Sequence, residues 1–170
     1  MLMPGLMLVG SHALAGWRAG ARLARRRRKP MVPRTTVALP AGLDSTHLLD
    51  VVREQFIRLQ AAWDAADLGT LGALTTPQML AEICAQIPPA GSPPNRTDVL
   101  SVKAELLGFD DLQSAWIATI EFSGLIRESP EREAAPFREL WLLMRERQPH
   151  IGGTEPCCTP WRLARQQALL

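Results

Sequence analysis

The hydrophobic period of this chain changes once, near Thr97, and that change limits the folds open to it. Before it, apolar residues fall at Leu48, Val52, Phe56, Leu59, Trp63 and Ala66, spaced by four and three as on one face of a helix. Arg53, Glu54, Arg58 and Gln60 occupy the face between them. The pattern predicts a helix from about Asp44 or Ser45 to Ala66, with Asp44, Ser45 and Thr46 as cap oxygens. A short turn of helix at Leu68 to Leu74 follows. Thr75, Thr76 and Pro77 then mark the start of another helix, with an apolar face of Leu80, Ile83, Cys84 and Ile87. Pro88 and Pro89 end it.

After Thr97 the period is two. Leu100, Val102, Ala104 and Leu106 share one face of Val99–Phe109, and Trp116, Ala118, Ile120 and Phe122 share one face of Ser114–Arg127. Asp110 and Asp111 lie between these runs, where a hairpin turn is expected. Phe137–Arg147 and Trp161–Ala168 give a third and a fourth strand. Helices first and strands second predict an α+β domain, with helices packed on one face of a roughly four-stranded antiparallel sheet.

Charge divides the chain much earlier, at Asp44. Residues 1–43 hold 8 of the 19 basic residues and no acid; the remaining 11 basic residues face all 17 acids, a net of −6 from Asp44 onward. A folded part so acidic lacks the basic face that phosphate neutralisation needs, which excludes a nucleic-acid binder of the usual kind. Residues 1–30 form a tail, apolar up to Trp17 and then basic at Arg25, Arg26, Arg27, Arg28 and Lys29. A secretory signal carries its positive charge before its apolar stretch, and here the order is reversed. As a helix, Met1 to Trp17 would be about 25 Å long, slightly short of a hydrocarbon core of ~30 Å. The tail therefore reads as a partial membrane span, an interfacial anchor or a solvated basic arm. Residues 31–40 form a proline-containing linker, and residues 41–170 the domain.

Reactive chemistry has little footing. Cys84, Cys157 and Cys158 make no C-x-x-C, and His12, His47 and His150 are scattered, so no zinc pattern arises. The chain has no tyrosine. Glu105 and Glu121 alternate with apolar neighbours as solvent-facing strand residues do. Nucleophile-elbow, phosphate-loop and dinucleotide motifs are absent. No catalytic residue, metal ligand or cofactor is expected.

Several stretches in order resemble the Tim44-like domain, named for a subunit of the mitochondrial inner-membrane translocase, and above all its bacterial inner-membrane relatives. They are Leu39–Asp44, Phe56–Asp64, Leu74–Met79, Asn95–Val99, Ala104–Gly108, Phe122–Glu128 and Pro136–Trp141. The resemblance implies helices lying across a curved four-stranded sheet of the nuclear-transport-factor-two-like, or cystatin-like, kind, closing on an apolar pocket. It also implies attachment to a bacterial inner membrane; the positive-inside bias then keeps the arginines, and the domain that follows them, on the cytoplasmic side. The expected partners are anionic lipid and an inner-membrane protein. The sequence departs from the family pattern over Arg145–Pro160, an irregular stretch, before Trp161–Gln167 resumes it.

On this reading Phe56, Leu59, Trp63, Trp116, Phe122 and Trp141 line a pocket or fill a core between helix and sheet. Arg25 to Lys29 meet the membrane surface. Arg96 and Arg127 are candidates for head-group contact through the guanidinium fork, or else pair with Asp98 and Glu128 at strand ends. The alternative function is a small-molecule-binding or enzymatic cone, which would need Asp98, Glu105 or Glu121 pointing inward.

Overall fold

A computed structural model describes residues 37–89, 92, 96–147 and 159–169. The basic run Arg25–Lys29 and the pair Cys157 and Cys158 lie outside the described residues. Three helices precede four strands: α1 Ser45–Asp64, α2 Leu68–Leu74, α3 Pro77–Cys84, then β1 Asp98–Asp111, β2 Ala115–Arg127, β3 Ala135–Glu146 and β4 Arg162–Ala168. The strands pair antiparallel in the order β1-β2-β3-β4, which is the α+β arrangement expected.

Each helix begins on a side-chain oxygen that satisfies an otherwise orphaned backbone N–H. Asp44 accepts from His47 N at 2.9 Å, Asp67 from Thr70 N at 3.1 Å and Thr76 from Met79 N at 3.3 Å, the last with Pro77 at the first helical position. The stripe of α1 is buried at Leu48, Val52, Phe56, Leu59 and Trp63. It stops there. Ala66 is exposed at φ 50°, so the helix ends at Asp64 and Ala66 belongs to the following turn. Gln60, expected on the solvent face, is buried, because the groove between helix and sheet takes in more than the five stripe positions. In α3, Met79 and Ile83 face the core while Cys84 is exposed.

The sheet also departs from simple alternation. The β1–β2 register shifts between Val99 and Ser101 and again between Leu106 and Gly108. The first shift turns Leu100 outward, where it is exposed, and leaves Val99, Val102, Ala104 and Leu106 against the core. Asp110 and Asp111 are not the turn: they pair with Ile117 and Trp116, so β1 outlasts its apolar run. The inner faces of β2 and β3 contribute Ala118, Ile120, Phe122, Phe137, Trp141 and Leu143 to one core with the helices.

Gly124 holds β1 and β2 at their closest approach. A Cβ there would stand 2.0 Å from the Ser101 carbonyl oxygen and 3.1 Å from a Phe137 ring carbon. Backbone cannot yield as a side chain does, so Gly124→Ala must push the strands apart. The expected loss of unfolding free energy is about 3 kcal/mol, at the upper end of overpacking effects, read as a lowered urea midpoint. An unchanged midpoint would show that the strands are not held at this distance.

Candidate functional site

Helix α1 builds two environments, one on each side of Phe56. The first is the centre of the domain. The Phe56 ring lies 5.0 Å from Phe122, 5.2 Å from Phe137 and 5.1 Å from Trp141, and Phe122 meets Trp141 edge-on at 4.9 Å. With Leu59 and Trp63 also buried, this region is packed rather than open. Five of the six residues expected to line a pocket or core are thus in the core. Trp116 stands apart and half-buried. Its ring faces Phe109 at 6.2 Å, lies beneath the guanidinium groups of Arg145 at 5.6 Å and Arg147 at 5.5 Å, and donates its N–H to Asp111.

Several polar groups are buried with this core, Glu139 and Gln60 among them. Glu139 is 1 % exposed, and one of its carboxyl oxygens accepts from Trp141 Nε1 at 2.9 Å and from Gln166 Nε2 at 2.6 Å. Gln60 is buried too, and its Oε1 has no hydrogen-bond partner among the described residues. Alternation placed the acids of β1 and β2 correctly on the outside: Glu121 meets Arg138 in a two-pronged pair at 2.8 and 2.9 Å, and Glu105 is exposed. Glu139 escaped notice because nothing local distinguishes it from a solvent-facing strand residue. Only the position of Phe137 and Trp141, two residues either side, marks its face. Truncation by Glu139→Ala leaves the buried indole N–H and the Gln166 amide without their acceptor. An expected loss of about 1–3 kcal/mol follows, measured by urea unfolding, with Glu139→Gln losing less because its amide oxygen still accepts.

The second environment is an open cleft of about 260 Å³ at the N-terminal half of α1. Its apolar wall includes Leu43, Leu48, Val51, Leu74 and Trp161, and its charged rim is His47, Glu54, Arg58 and Arg145. The floor is tied by Gln55, buried, which donates to the Trp161 carbonyl at 2.7 Å and the Leu74 carbonyl at 3.3 Å. Thr76 N donates to the Leu163 carbonyl at 2.9 Å, so the end of α2 and the start of β4 are joined beside it. None of the six aromatic and apolar residues expected to line a pocket lines this cleft. It is assembled from segments more than a hundred residues apart in the chain, which no local pattern announces.

At the opposite end, Arg127 pairs with Asp98 across the strands at 3.0 Å rather than with its neighbour Glu128, whose partner is Arg132. Arg96 reaches the same Asp98 carboxylate at 3.3 Å. The Arg127 hydrogen bond, followed by the contribution of Arg96, holds the Asp98 carboxyl below its ordinary range. Two guanidinium groups share one carboxylate here, and a second carboxylate, Asp64, accepts from Thr97 beside them.

Among the described residues no group of three His, Cys, Asp or Glu could hold a metal ion, and no helix is long and apolar enough to cross a membrane. A family model described as the Tim44-like domain matches residues 31–168. No curated protein matches the chain.

Proposed function

The chain belongs to the Tim44-like domain family, a group of membrane-associated modules related to protein transport and generally non-enzymatic, and on that premise we propose that it is a non-catalytic docking module of a bacterial inner membrane. Its basic segment Arg25–Lys29 meets anionic lipid on the cytoplasmic side, and the domain then contacts lipid or an inner-membrane protein. The observation that carries this reading is the charge division: 8 basic residues and no acid before Asp44, and a net of −6 from Asp44 onward. A negative surface attracts the first part and repels the second, so the chain is oriented as well as held.

The fold supports one orientation in particular. Leu43 lines the cleft, and the seven residues between Lys29 and Val37 can reach no further than about 28 Å. The basic segment thus precedes the cleft end of the domain in the chain. That end also presents Arg58 and Arg145, with Trp116 under Arg145 and Arg147, side chains suited to a boundary between apolar and wet surroundings. The pair Arg96 and Arg127 is a secondary head-group contact in this proposal.

The small-molecule or enzymatic cone draws on one observation, the buried Glu139 beside a packed aromatic centre. Its carboxyl is already engaged by Trp141 and Gln166, and the rings at 4.9–5.2 Å fill the space a substrate would need. Docking is the better reading. Flotation of the full chain with vesicles tests it: binding to phosphatidylglycerol- or cardiolipin-containing vesicles, weakened by salt, and no binding to neutral phosphatidylcholine vesicles. Equal flotation with both vesicle types would refute an electrostatic dock.

A further inference from the structure

From the outward face of the sheet we infer that two copies of this chain pair face to face, about a twofold axis parallel to the strands. The helices share the core on the inner face, so among the described residues the outer face is uncovered. Two rows of residues cross it from β1 to β4. One reads Asp110, Ile117, Met144, Arg162, and the next Gly108, Thr119, Leu142, Arg165. Each row is apolar or uncharged in the middle and basic at the β4 end, and the first is acidic at the β1 end. Beside them lies the row Glu105, Glu121, Leu140, Gln167, in which Glu121 pairs with Arg138 and Glu105 adds a second acid at the β1 end.

This polarity selects the occupant. A twofold axis along the strands, between β2 and β3, places β1 of one copy over β4 of the other. Asp110 then meets Arg162 of the partner subunit in both directions, while at the centre Ile117 of each copy meets Met144 of the other and Leu142 meets Thr119. An axis across the strands would set acid against acid and base against base. An anionic bilayer would be met by Asp110 as well as by the arginines. A second copy matches the acidic and the basic end of the first row at once. Four strands at ~4.8 Å spacing and about ten residues of length give roughly 650 Å² per copy, within the range of specific interfaces when both sides are counted.

Sedimentation equilibrium of the full chain without lipid tests the inference, and its failure is separate from any failure of membrane docking. The expected mass is twice 18.7 kDa. Asp110→Arg and Arg162→Asp each raise the dissociation constant about tenfold or more by opposing like charges, and the two changes combined in one chain restore it. Leu142→Arg, at the centre, abolishes the dimer while circular dichroism stays native. A monomer at about 100 µM, tighter than which any functional pair should be, would overturn the inference. So would a dimer indifferent to all of these variants, or single reversals that the combined variant does not rescue.

Discussion

Phe56→Ala is expected to lower the unfolding free energy by about 3–5 kcal/mol, the range for removing a fully buried aromatic ring. Phe56 has no exposed surface and touches three other rings at 5.0–5.2 Å, so its loss empties the place where helix and sheet meet. Ring pairing adds about 0.5–1.5 kcal/mol for each contact beyond area alone, which favours the upper part of the range. Domains of this size have only about 5–15 kcal/mol to lose, so the variant should unfold at much lower urea. Leu125→Ala, on the outer face and 43 % exposed, is the control and should change stability by about 0.5 kcal/mol or less. Equal losses for the two would mean that the ring cluster is not the centre of the fold.

Replacing Arg25, Arg26, Arg27 and Arg28 together by alanine is expected to weaken binding to anionic vesicles about a thousandfold. Each basic residue close to such a surface contributes about 1 kcal/mol, four contribute about 4 kcal/mol, and 1.4 kcal/mol corresponds to a factor of ten. Lys29, Arg34 and the two arginines nearer the start remain, so weak binding at low salt should persist. The partition coefficient measured against lipid concentration reads the effect. A change of less than about tenfold would assign the attachment to the apolar stretch before Trp17 or to the domain itself. Urea unfolding of the same variant is the control for folding and should match the wild type.

Much of the fold was legible because it is written locally. Leu48 to Trp63 form a stripe whose spacing is the helical period itself, and Ala118, Ile120 and Phe122 alternate as a half-buried strand must. The family was legible in the same way, as a series of short stretches in a fixed order. What escaped depends on contacts across the chain. Leu100 looks like its neighbour Val102 until the β1–β2 register shifts beneath it. Gln55, Gln60 and Glu139 are polar by type, and only the elements closing over them make them interior. Asp110 and Asp111 have the chemistry of a turn, but pairing with Ile117 and Trp116 keeps them in the strand. The cleft needs Leu43, Gln55, Leu74, Arg145 and Trp161 together, and no window of sequence contains them all.

Two of these misses share a cause. Patterns of polarity predict which face of an element turns inward, and they fail where a polar group is carried inward with its own partners. Gln55 goes in because it can donate to two carbonyls, and Glu139 because an indole and an amide donate to it.

The attachment itself is read most directly by fractionating cells that express the full chain into membrane and soluble pools, followed by a high-salt wash of the membranes. A chain held by its arginines sediments with the membranes and comes off in salt. Recovery in the soluble pool before any wash would contradict membrane docking outright.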